Sequence, residues 1–290
     1  IPLCLVGSEM CIRDSPNTRT AYARSVRDFF AWAQNQRLDL LRLTAGNVGD
    51  YFRDHHPGAP ATQAQHLSGL RMFFGILVER HLVILNPTLG VKLQREKLEE
   101  GKTAMLHPKE ARRLLQSIDT SSIVGLRDYA IIATLIGTAA RAGAVANLKV
   151  NSLKHDGTQY LLRFREKGGK VIPIPVRHDL ESVLLAYLNQ AGLTGAPPRS
   201  PLFRTAIAKK NLLTDRAMIG NDVYRMFKRR CRQAGLPPDR TPHSSRTLAA
   251  TDLLDQDVTH EHDQRLLGQS DPRTTQIYDR RRIRETRNEV

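Results

Sequence analysis

No run of about twenty apolar residues occurs in this 290-residue chain, and no basic amphipathic helix stands beside an anchor, so no membrane association is expected. Cysteine is scarce too. Cys4, Cys11 and Cys231 are the only copies, and with no Cys/His cluster at zinc spacing they support neither a disulfide framework nor a zinc finger. A reducing, cytoplasmic setting follows, with no metal and no cofactor expected. Acidic residues are in short supply: 29 Asp and Glu stand against 44 Lys and Arg, a net charge of +15. That imbalance points to a polyanionic partner, and with no anchor present nucleic acid is favoured over an acidic membrane surface. The opening Ile1–Ser15 lacks both a starting Met and a basic segment before its apolar residues, so it makes a poor secretory signal. It is expected to be a non-native leader and is set aside from the fold, which leaves Cys231 as the native cysteine.

What is present suits two domains better than one, because single hydrophobic cores rarely grow much beyond about 250 residues. From Thr18 to about Gln36, Tyr22, Val26, Phe29, Phe30 and Ala33 recur at the spacing of one helical face. A second helix is expected from about Thr62 to Val83, with Leu67, Leu70, Phe74, Leu77 and Val78 as its stripe and Asn86-Pro87 closing it. Between them, Val48, Tyr51 and Phe52 suggest a short helix. The polar run KLQREKLEEGKT, from Lys92 to Thr103, carries charges of both signs and few core-forming residues, and reads as a linker. Pro108 then suits the first turn of a new helix. The run from Leu126 to Ala140 is apolar nearly all round, which predicts a buried central helix. Gln159–Arg165 and Lys170–Val176 flank Gly168-Gly169 as a hairpin, with prolines placing the second run on a sheet edge. Further helices are expected over Asp179–Ala191, Gly220–Ala234, Pro242–Leu254 and His260–Leu267, and Gly192 opens a loop.

Several residues stand out chemically, and each has an ordinary explanation beside the sharper one. His243 and Arg246, three apart in PHSSR, share one helical face, as surface polar residues of a basic helix also do. Arg141 follows an apolar helix, where a guanidinium calls for an anionic partner or for helix-end carbonyls. Lys167 sits at the expected hairpin tip, where solvated lysines are common. Tyr278 lies in a segment opened by Ser270, Asp271 and Pro272, a helix start in which a tyrosine is ordinarily core. The basic run Lys228, Arg229, Arg230 and Arg232, and the arginines from Arg280 to Arg287, are either phosphate contacts or solvated faces.

Taken in order, Arg141, Lys167, PHSSRTLAATDLL and LLGQSDPRTTQIYDR resemble the catalytic signature of the tyrosine recombinase (phage integrase) family. That pattern runs from an Arg after a buried helix through a β-turn Lys and His-x-x-Arg to Leu-Gly-His, with a Tyr nine residues after that last His. HLSGLRMFFGILVERHLVILNPTLGV is similar to the family's helical core-binding domain, so the resemblance covers about Asn17 to Asp279. It implies a mainly α fold with a small β-sheet. A SAM-like core-binding domain would occupy 16–91, a linker 92–104 and a mixed α/β catalytic domain 105–290.

The resemblance also implies a mechanism. Tyr278 attacks the scissile phosphate of double-stranded DNA to form a 3′-phosphotyrosyl link, and the bond energy is stored, so neither metal nor ATP is needed. Arg141 and Arg246 would grip the non-bridging oxygens, Lys167 would protonate the leaving 5′-oxygen, and His243 would assist removal of the Tyr278 proton. A homotetramer on two DNA sites would complete the exchange. Two positions depart from the family pattern. Gln269 stands where His or Trp is usual, and it can donate a hydrogen bond but cannot exchange a proton near neutrality. Ala144 replaces the usual acidic residue three places after the first Arg. Two rivals stay open: a catalytically impaired DNA-binding relative that regulates recombination, for which Gln269 is the argument, and a type IB topoisomerase-like enzyme.

Overall fold

The computed structural model describes residues 16–56, 58–93, 104–165 and 169–255. The expected leader, most of the expected linker and the expected helix over His260–Leu267 lie outside the described residues. The chain divides into two compact units between positions 98 and 99. No helix among the described residues is long and apolar enough to cross a membrane.

The first unit is helical: α1 Pro16–Asn35, α2 Ala45–Asp50 running into a wider π turn over Tyr51–His55, and α3 Pro60–Glu79. Thr44 starts α2 by accepting the Asn47 backbone N–H at 3.3 Å, and the Asn47 side chain returns the bond to the Thr44 N–H at 3.0 Å. The core is aromatic. Phe29 of α1 lies 5.0 Å from Tyr51 and 6.1 Å from Phe74, both edge-on, and Phe30 meets Phe73 at 5.2 Å. Gly69 of α3 permits this close approach, since a Cβ there would come within 3.2 Å of the Tyr22 backbone and Ser25. Past α3, the Asn86 amide donates to the Arg71 carbonyl while its oxygen accepts from Thr88, so the Asn-Pro turn is fastened to the helix before it. The stripe read from the sequence is the buried face: Val26, Phe29, Leu67, Leu70, Phe74 and Leu77.

The second unit wraps helices around α5 Ile123–Thr138, whose buried residues include Ala130, Ile131, Ile132 and Leu135. Its start lies three residues before the expected one, because Ser122 caps it by accepting the Gly125 N–H at 3.0 Å. Around it lie α4 Pro108–Gln116, α6 Ala142–Ala146, α7 His178–Gln190, α8 Gly220–Gln233 and α9 Pro242–Asp255. A three-stranded antiparallel sheet is ordered β1 Leu153–His155, β2 Tyr160–Arg165, β3 Val171–Pro175, with Leu162 opposite Ile174 and Arg165 opposite Val171. The proline-bearing β3 is an edge strand, as expected. A second hairpin, β4 Arg204–Ile207 and β5 Leu212–Ala217, turns through Asn211 at φ 45°.

Candidate active site

The first element of the site is the end of α5. Sixteen residues of mostly buried helix stop at Thr138, and Ala139 takes the left-handed conformation at φ 51°, ψ 17°. An L-residue adopts this at some cost, and the reward is a sharp exit from the core. Arg141 is therefore exposed rather than trapped at the apolar end of α5. It occupies the extended position before the first residue of α6, at φ −71°, ψ 145°. Helix α6 is in turn seated on the start of α8, where a Cβ on Gly220 would lie 3.2 Å from the Gly143 Cα. Backbone against backbone leaves little play in the element that carries Arg141.

The second element is the start of α9. Ser244, Ser245, Arg246 and Thr247 are all buried there, while His243 just before them is an exposed residue. The Arg246 guanidinium reaches across to α5 and donates from Nη1 to the Ala139 carbonyl at 2.9 Å. The strained residue that releases Arg141 is thus the one that receives Arg246. His243 senses both arginines: desolvation of its ring lowers its pKa below the ordinary value, and the positive charges of Arg246 and Arg141 lower it further. The imidazole stays neutral, and so able to accept a proton, to lower pH than a free one.

Arg141 is thus brought near His243 and Arg246, which lie more than a hundred positions further along the chain. Lys167, Gln269 and Tyr278 lie outside the described residues; the strands on either side of Lys167 pair antiparallel, as a hairpin requires. Ala144 is half-buried on α6.

Sequence reasoning passed over the residues that hold this arrangement. Arg240, just before α9, makes a two-pronged ion pair with Glu110 of α4, Nε to Oε2 at 3.0 Å and Nη2 to Oε1 at 2.9 Å. Glu110 also accepts the His107 N–H at 2.9 Å. Burial works against the Glu110 charge, but the Arg240 guanidinium and the His107 N–H hold its carboxyl below the usual range. The one legible signal was a capping position: Glu110 falls in the first turn after Pro108. Arg229 and Arg230, open above as phosphate contacts, are bound at 2.9 and 2.8 Å to the fully buried Asp128, which Arg127 also meets at 2.6 Å. Lys228 donates to the Pro238 carbonyl. Among the described residues no group of three or more potential metal ligands converges.

Comparison with known proteins decides the family. The model of the phage integrase family matches residues 104–284, and that of the phage integrase N-terminal SAM-like domain matches residues 12–81. This chain belongs to the phage integrase family of tyrosine-type site-specific recombinases. The tyrosine recombinase XerC of Leptospira interrogans serovar copenhageni is 30% identical over 267 residues, 91% of this chain and 83% of that protein. Among solved structures, the XerH site-specific recombinase bound to palindromic difH substrate, a post-cleavage complex, superposes with a TM-score of 0.76 at 18% identity, covering 93% of this chain and 79% of that one. A lambda integrase tetramer bound to a Holliday junction superposes at 0.65 with 17% identity, over 96% and 74% of the two chains. These two likenesses are of fold, and they carry the mainly helical, two-part architecture.

Proposed function

We propose that this recombinase cuts and rejoins duplex DNA through a covalent 3′-phosphotyrosyl link on Tyr278, without metal or nucleotide, as four copies on two sites in the cytoplasm. The observation that supports it best is the meeting of Arg141, His243 and Arg246 around the Ala139 turn. Two guanidiniums beside one neutral imidazole suit a phosphodiester whose charge grows during exchange. The arginines take the non-bridging oxygens. The Tyr278 oxygen attacks phosphorus as its proton passes to His243, the P–O5′ bond breaks, and the departing oxygen takes a proton from Lys167. The ester keeps the bond energy, so a 5′-hydroxyl from a partner strand reverses the step on new DNA. Gln269 donates a hydrogen bond to the phosphate. The tetramer reading is supported by the likeness to the lambda integrase tetramer, and the cleavage reading by the likeness to the XerH post-cleavage complex.

A suicide duplex, nicked beside the cleavage point and taken from the boundary of the DNA element that encodes the chain, tests the reading. A protein–DNA adduct stable to detergent should form and be absent from Tyr278→Phe. Specific binding without an adduct would instead favour the regulatory relative, to which Gln269 already lends some weight. Unrestricted relaxation of supercoiled plasmid lacking that boundary would favour the topoisomerase-like enzyme.

A further inference from the structure

We propose that the Glu110–Arg240 ion pair is a positioning device for strand cleavage, setting where the start of α9 presents His243 and Arg246. The proposal rests on the strand-cleavage reading above and adds two residues to it, neither of which touches the reacting atoms.

The argument is one of leverage. His243 and Arg246 lie at the start of α9, and the segment leading into it, LPPDRT, contains two prolines and no helix or strand. Within it the Arg240 N–H donates to the Pro237 carbonyl at 3.3 Å and the Thr241 N–H to Ser244 Oγ at 3.1 Å, bonds that shape the turn locally but reach no other helix. Beyond the Arg246 bond to Ala139 and the Lys228 bond to Pro238, two ties run to α4 and its approach: the Arg240–Glu110 pair, and the Leu106 N–H donating to the Ser244 carbonyl at 3.4 Å. The second is long and weak. The first has two short parallel bonds between side chains that are only 12% and 20% exposed, which sets an orientation as well as a distance. Glu110 is itself held by the His107 N–H, so the carboxylate is a fixed post rather than a free arm. With Arg240 three positions before His243, a small tilt here moves the imidazole and the Arg246 guanidinium relative to Arg141, and misplacement by about 1 Å costs on the order of a hundredfold in a reaction that depends on alignment.

Two conservative variants separate positioning from bulk stability. Glu110→Gln keeps an oxygen for the His107 cap but removes the charge, and Arg240→Lys keeps the charge but loses the fork. Each is expected to lower the rate of adduct formation on the nicked duplex about 10- to 100-fold, with DNA affinity and melting temperature close to those of the parent. The readout that needs no activity is an NMR titration of the His243 ring in the DNA-free protein. The parent should titrate below the ordinary histidine value, and both variants should shift it back upward as the ring leaves Arg246 and Arg141. Unchanged adduct rates with an unchanged His243 titration would overturn the proposal, as would rate losses accounted for wholly by a lower fraction folded. A parent protein that forms no adduct would count against the cleavage reading alone, and the His243 titration would then decide the positioning role by itself.

Discussion

The two units solve the problem of rigidity by opposite means. The first is fastened by rings: Phe29, Phe30, Tyr51, Phe73 and Phe74 meet edge to face, and its polar ties sit at helix starts and turns. The second has an aliphatic core, but its most exacting joints are charged: Asp128 with Arg127, Arg229 and Arg230, and Glu110 with Arg240. Aromatic packing tolerates small rearrangements, whereas a two-pronged ion pair admits essentially one geometry. The charged joints lie in the unit that carries Arg141, His243 and Arg246. The lesson is that the placement of functional groups here depends on polar contacts between elements far apart in sequence, and the mere existence of a unit does not.

That contrast can be broken at its strongest points first. Phe29→Ala should destabilise the first unit by about 3–5 kcal/mol, the usual result of emptying an aromatic site in a packed core, read as a lost or lowered unfolding transition. Retention of that transition would show that the ring cluster is redundant. Asp128→Asn should cost the second unit about 3 kcal/mol, because it leaves buried Arg127 and half-buried Arg230 without their counter-charge; Arg229, nearly half exposed, contributes least. Urea midpoints of the two transitions would show whether the effect stays in the second unit, and a cost below about 0.5 kcal/mol would mean that Asp128 is not a joint.

Acid should weaken both units with the same sign. His243 in the second and His66 in the first have lowered native pKa values, the latter through desolvation and then through His56 beside it. A histidine of this kind binds its proton more tightly when unfolded, so its contribution to stability is complete above the unfolded value near 6.5 and is lost as pH falls through the native one. Melting temperature should fall below about pH 6.5, and His243→Gln with His66→Gln should flatten that fall; an unchanged slope in the double variant would discard the explanation. The smallest effect is expected at Ser245, whose buried hydroxyl finds no hydrogen-bond partner among the described residues. Ser245→Ala should be neutral or stabilising by up to about 1 kcal/mol, seen as a slightly raised melting temperature, and a loss of stability would reveal a partner for that hydroxyl.

How legible all this was depended on period. The stripe of α1 and α3 and the unbroken apolar run of α5 bury what their spacing predicts, and Pro173 and Pro175 in β3 announce an edge. The β4–β5 hairpin escaped notice because neither strand buries one face: its residues are half-buried or exposed in no alternating order, so period two is absent. What fixes it is the Thr205–Thr214 hydroxyl pair at 2.5 Å and the Asn211 turn, whose side chain also accepts the Val124 N–H. In the site, Arg141, His243 and Arg246 were readable from the order of their motifs, and their convergence followed from the family resemblance that order carries, not from any local spacing. Ala139, Glu110 and Arg240 looked like ordinary residues, since a left-handed turn in an alanine and an ion pair spanning 130 positions leave no local mark.

Asp128 has one more consequence, for how this protein meets salt. A polyanion is bound largely by releasing the small cations condensed on it, one for roughly each phosphate that a lysine or arginine neutralises, so the slope of affinity against salt concentration counts the working cations. A net charge of +15 invites a generous count. But the single charge of the buried Asp128 carboxylate is shared by Arg127, Arg229 and Arg230, so one of their three positive charges is offset inside the protein, and their guanidiniums are turned toward it. The salt slope should therefore fall short of the number of basic residues on α8, and Asp128→Asn, if it folds, would steepen it.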